Sequence, residues 1–113
     1  MRRTLLGLLL VAGALGLGTG YARGEAGWTG YGAVQELTPT TRQRFLVTVA
    51  VGDNPSGCRS GNTFYQDFAL TGAQQLFDTL LQALVHGKSV RLYVTGRCEL
   101  NGYAEITSVT IRP

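Results

Sequence analysis

The sequence predicts a small, mostly β domain with a single helix between two groups of strands. Three observations carry that expectation. Apolar residues recur at helical spacing over one stretch alone: Leu76, Phe77, Leu80, Leu81, Leu84 and Val85. On both sides the period is two, clearest where Phe45, Val47, Val49 and Val51 alternate with Leu46, Thr48 and Ala50. Cys58 and Cys98 are the only cysteines, one in each strand-rich half.

The chain of 113 residues opens Met1-Arg2-Arg3, then runs from Leu5 to Leu17 in apolar and glycine residues. A basic start, an apolar segment and small residues after it read as a secretory leader over residues 1–26. Cleavage after Ala22, Gly24 or Ala26 stays open. The apolar run is shorter than the roughly 20 residues of a membrane span, so no stable span is expected after cleavage. The expected destination is the periplasm or the cell exterior. Of the formal net charge of +3, most leaves with the leader. Arg42, Arg44, Arg59, Lys88, Arg91, Arg97 and Arg112 then face Glu36, Asp53, Asp67, Asp78, Glu99 and Glu105, one positive charge net. A nearly neutral product does not bind nucleic acid through counterion release. Residues 27–113 make one domain, and a domain of that size gains from a covalent staple. An exported pair of cysteines reads as one disulfide, Cys58 to Cys98. Closing that loop stabilises by about 3 to 4 kcal/mol on the chain-entropy account.

The first strand is expected from Trp28 to Leu37, interrupted by Gly30 and Gly32, which suggest bulges. Thr38-Pro39-Thr40-Thr41 reads as a turn, and Phe45 to Val51 as the second strand. Gly52 to Asn62 is a turn-rich loop that carries Cys58. A third strand is expected from Thr63 to Leu70, with Phe64, Phe68 and Leu70 on one face and Tyr65 and Asp67 on the other. Thr71 and Gln74 form a capping box at the head of the helix, and His86-Gly87 closes it. The fourth strand puts Val90, Leu92 and Val94 inward, with Arg91, Tyr93 and Thr95 outward. Asn101-Gly102 suits the positive-φ positions of a type I′ hairpin leading into the last strand. There Ala104 and Ile106 keep one phase and Val109 and Ile111 the other, which predicts a bulge near Thr107-Ser108.

Strand, strand, strand, helix, strand, strand is the order of the five-stranded OB barrel, β-β-β-α-β-β. With strand four antiparallel to strand one, the loops holding Cys58 and Cys98 fall at one end. The stretch L-F-D-T-L-L-Q-A-L-V-H-G-K-S-V-R-L-Y-V-T-G-R-C, Leu76 to Cys98, follows a cysteine loop and a leader. It resembles the B subunits of subtilase-type and pertussis-like AB5 toxins, as do Trp28-Thr29-Gly30 and Gly32-x-Val34 at the first strand. The resemblance implies a secreted, non-enzymatic OB-fold subunit that assembles as a homopentamer and binds cell-surface glycans. The family's sugar-contacting serine has no counterpart here, since Gly30, Tyr31 and Gly32 occupy that neighbourhood.

No nucleophile–base pair and no metal-ligand cluster stands out, so neither an enzyme nor a cofactor or metal site is expected. His86 is the lone histidine and reads as a helix end. Glu99 and Glu105 flank the Asn-Gly turn and read as a solvated tip. Trp28, Tyr31, Tyr65, Tyr93 and Tyr103 lie on strands, Tyr65 and Tyr93 out of phase with the core, and Arg91 neighbours Tyr93; of these, Tyr31, Tyr65, Arg91 and Tyr93 are singled out. Exposed rings make a platform for a sugar or a protein, and an arginine can grip an acidic sugar. These four residues are the candidate binding site. On the helix, Gln75, Asp78, Thr79 and Gln82 form a polar, weakly charged side suited to contact between like subunits. The leading expectation is an exported binding module for glycan or protein. A stand-alone monomeric periplasmic protein that takes a small ligand or an envelope component is the alternative.

Overall fold

The computed structural model describes residues 24–113. Residues 1–23, where most of the expected leader falls, lie outside the described residues. Strand β1 (Gly27–Trp28) and strand β2 (Gly32–Thr40) are two pieces of the expected first strand. They are followed by β3 (Arg44–Val49), β4 (Thr63–Asp67), helix α1 (Ala73–His86), β5 (Ser89–Val94) and β6 (Ala104–Arg112). β2, β3, β4, β6 and β5 close into a ring, each hydrogen-bonded to the next and β5 returning to β2. Pairing is antiparallel throughout except at β4–β6, a parallel seam of two register pairs, Phe64 with Ala104 and Tyr65 with Glu105. The Gln66 side chain extends that seam by donating from Nε2 to the Ile106 carbonyl at 2.7 Å.

Alternation fills the inside of the ring. Phe45, Val47 and Val49 from β3 and Val90, Leu92 and Val94 from β5 are fully buried. Leu76, Leu80 and Ala83 of α1 pack into the same core as Phe64, Ala104 and Ile106. Phe45, Phe68 and Phe77 meet as a triangle of rings 5.3 to 5.6 Å apart. Burial on this scale is the main term favouring the fold, at roughly 25 cal/mol for each Å² of apolar area.

The expected irregularities are present. β1 and β2 both pair with β5, Trp28 with Tyr93 and Gly32 with Val90, so Thr29-Gly30-Tyr31 is looped out between them. Gly32 passes so near the Ala50 carbonyl that no Cβ fits there. In β6 the partner of Tyr93 is Ser108 and that of Val94 is Ile106, which leaves Thr107 as the extra residue of a bulge. Asn101 and Gly102 take φ of 52° and 79° at the hairpin tip.

Four local expectations are corrected. The capping box does not form: Gly72, at φ 91°, is the N-cap with no side-chain bond to it. The incoming turn, in which the Ala73 N–H reaches the Leu70 carbonyl, needs a left-handed residue. Gln74 instead bonds forward to Asp78 at 3.0 Å. The turn after β2 is at residues 41–43, not at Pro39, which pairs with Phe45 inside the strand. That half of β2 is bonded on one side only, so a missing N–H is tolerated. β4 stops at Asp67, short of the expected Leu70. The helix stripe is rotated: Ala73, Leu76, Leu80 and Ala83 are buried, whereas Leu81, Leu84 and Val85 are exposed, Val85 by 67%.

The loops after β3 and β5 lie at one end, joined by the Cys58–Cys98 disulfide across a Cα separation of 5.5 Å. Gly24 to Ala26 cross the same two loops, with the Glu25 N–H donating to the Pro55 carbonyl at 3.0 Å. No helix among the described residues is long and apolar enough to cross a membrane.

Candidate ligand-binding site

β5 alternates, so with Val90, Leu92 and Val94 inside, Arg91 and Tyr93 stand on the outer face of the ring. β1 brings Trp28 opposite Tyr93, and β6 brings Thr110 opposite Arg91 and Arg112 opposite Ser89. The looped-out segment supplies Tyr31. Its geometry rests on Thr29, a buried hydroxyl: the Leu92 N–H donates to Thr29 Oγ1 at 3.0 Å, and the Thr29 N–H donates to the Leu92 carbonyl at 2.8 Å. The side chain thus takes a place in the ladder that a backbone carbonyl would fill, and the chain is free to bow outward at Tyr31.

The result is a row of alternating rings and guanidinium groups. Tyr93 and Trp28 meet edge to face, 5.3 Å between centroids and 78° between planes. Arg91 lies 4.4 Å over the Trp28 ring and 5.5 Å from the centre of Tyr31. Arg112 lies 3.6 Å from the Tyr31 ring centre. Each such contact is worth about 0.5 to 2 kcal/mol according to its exposure, so together they favour this arrangement of the row. Arg91 Nε is buried without a hydrogen-bond partner. Among the described residues the ion pairs are made by Arg44 with Asp67 and by Arg97 with Glu99 and Glu105; Arg91 and Arg112 take part in none of them. Two cations that pair with rings rather than carboxylates keep their charge available to an anionic group arriving from solvent.

Three of the four expected binding residues, Tyr31, Arg91 and Tyr93, therefore come together. Tyr65 does not. It is 6% exposed on β4, sits beneath Arg44 at 5.6 Å, and its burial raises the phenol pKa above its ordinary value. Phe64, Tyr65 and Gln66 are all buried, so both faces of β4 are covered and alternation there does not mark an outer face. Trp28 and Arg112 complete the row and were not among the expected site residues. Arg112 lies opposite Ser89, on the same side of β5 as Arg91, and the extra residue Thr107 shifts that register away from the one an unbroken count from the Leu100–Tyr103 bridge gives.

No family model matches the chain, and neither a curated protein nor a solved structure matches it. The site therefore has to be read from its own chemistry.

The helix residues expected at a subunit contact split up. Gln75 and Thr79 line a cleft of about 300 Å³ with Leu70 to Gly72 and Thr107 to Val109; Asp78 is engaged by Gln74, and Gln82 is exposed. The uncovered apolar residues, Leu81, Leu84 and Val85, lie on the other flank. A second cleft, about 350 Å³, runs between the β2–β3 turn and the hairpin tip, with Arg42, Leu46, Leu100 and Tyr103 in its walls. Glu99 and Glu105 do not face one another bare: the Arg97 guanidinium reaches both, at 2.8 and 3.7 Å. His86 ends the helix in an exposed position. No group of three or more potential metal-ligating side chains occurs among the described residues.

Proposed function

We propose that the protein is an exported, non-catalytic binding module that recognises acidic glycans on its outer β1–β5–β6 face. The observation that carries this reading is the row of Tyr93, Trp28, Arg91, Tyr31 and Arg112. Flat rings offer their faces to the C–H side of a sugar, and a guanidinium free of carboxylate partners suits a sugar acid. We further propose that the ring is an OB barrel of the AB5 B-subunit kind. What supports this is the strand order: numbered within the ring it runs one, two, three, five, four and back to one, with the three–five contact parallel. Assembly as a homopentamer is part of the same proposal. It is favoured by three exposed apolar residues on one flank of α1, Leu81, Leu84 and Val85.

The test is a glycan screen of the oxidised protein with Arg91→Ala and Tyr93→Ala beside the wild type. Both variants should lose at least about tenfold in affinity for carboxylated sugars, near 1.4 kcal/mol, and should keep the wild-type circular dichroism. Unchanged retention on those sugars sinks the reading; unfolding of Tyr93→Ala would reassign that ring to structure. Light scattering behind a sizing column reads the assembly, with five subunits expected.

The alternative is a stand-alone monomer that holds a small ligand, and the cleft beside Arg42 and Tyr103 favours it. A monomeric mass, with binding abolished by Arg42→Ala and untouched by Arg91→Ala, would select that alternative.

A further inference from the structure

Export requires a cut, and the sequence offers three places for it: after Ala22, after Gly24 or after Ala26. A leader peptidase reads the extended chain before it folds, so all three bonds are open to it. They are not equivalent to the folded protein. Gly24, Glu25 and Ala26 form a strap across the two loops that the disulfide joins. Gly24 lies so close to the Ser56 carbonyl and the Gly57 nitrogen that a side chain at position 24 would collide with backbone. Glu25 donates its N–H to the Pro55 carbonyl at 3.0 Å. On the far side the strap meets Gly96: a Cβ at Gly96 would sit 2.9 Å from the Gly24 carbonyl oxygen and 3.4 Å from the Ala26 nitrogen. Ser56, beneath it, is fully buried. The strap thus touches the residues just before Cys58 and just before Cys98, and continues directly into β1.

We propose that export cleavage follows Ala22, so that the mature chain begins at Arg23 and keeps the strap. Water hydrolyses the Ala22–Arg23 amide; Ala22 leaves as a carboxylate with the leader, and Arg23 gains a free α-amino group. A cut after Gly24 would remove the residue whose lack of a side chain lets the strap pass Ser56. A cut after Ala26 would remove the strap entirely and bare the Pro55–Gly57 backbone next to β1. The inference rests on the leader reading of the sequence and is independent of what the outer face binds.

The test is the intact mass of the exported protein, made from its own leader in a secreting bacterial host and measured under denaturing, non-reducing conditions. A mass equal to residues 23–113 with one disulfide is the expected result. A product beginning at Glu25 or Gly27 overturns the proposal. A chain that still begins at Met1 would refute the leader reading itself. Gly24→Leu gives a second readout, taken on pulse-labelled chains so that folding does not matter. Cuts after Gly24 or Ala26 need a small residue at position 24 and would be blocked, whereas a cut after Ala22 proceeds. Leader removal in Gly24→Leu at the wild-type position is expected; a retained leader counts against the proposal. A chain refolded from Gly27 onward should also melt several degrees below one refolded from Arg23, and equal melts would deny the strap its structural role.

Discussion

Thr29 shows how one side chain can shape a surface several residues away. Its hydroxyl accepts the Leu92 N–H and donates to the Gly30 carbonyl at 2.8 Å, so the ladder survives a looped-out segment. Thr29→Val keeps the volume and leaves the Leu92 N–H buried without a partner. The expected cost is about 1 to 3 kcal/mol, read by denaturant titration, and an unchanged midpoint would mean that the hydroxyl is dispensable. Tyr65 makes a second prediction at this scale. Burial raises its pKa above the ordinary 10.0, with nearby carboxylates at Glu105 and Glu99 adding to the shift. The folded state therefore holds the proton more tightly than the unfolded chain. The stability this contributes is complete below about pH 10 and is lost as pH rises through the raised value. Melting curves of wild type and Tyr65→Phe should run parallel up to pH 10 and converge or cross above it; parallel curves throughout would show that the phenol does not titrate differently on folding.

At the scale of elements, the strands were easier to read than the helix. In β3 and β5 large apolar residues alternate with smaller or polar ones, and the inward set found in the structure is the set that alternation names. Helix α1 is apolar over more than half its circumference. Counting large residues centres the stripe between Phe77 and Leu84, whereas Ala73 and Ala83, which add little to such a count, mark the side that is buried. Leu80→Ala should accordingly cost about 2 to 5 kcal/mol and Val85→Ala less than about 0.5 kcal/mol. Comparable losses at the two positions in the isolated subunit would contradict this orientation. The proposed binding face was legible where phase alone decides, at Arg91 and Tyr93. Trp28 and Arg112 needed the register across two bulges, and Tyr65 needed the knowledge that β4 is covered on both faces.

For the whole molecule, the disulfide is the largest single contribution that can be removed by a reagent. Reducing Cys58–Cys98 restores the conformational freedom of the intervening loop in the unfolded chain, worth about 3 to 4 kcal/mol. For a domain of this size each kcal/mol moves the melting midpoint by about 4 to 8 °C, so reduction should lower it by more than about 10 °C in scanning calorimetry. The same bond bears on the order in which the ring assembles. Hairpins β2–β3 and β5–β6 join near neighbours and can form alone, but the parallel seam joins Phe64 to Ala104 across the helix, through two register pairs. Closing the ring is thus a late, non-local event, and such events are slow. Cys58 and Cys98 flank that seam, so an oxidised chain arrives at it with the long search already done. Export into an oxidising compartment would then act on the rate of folding as well as on its equilibrium.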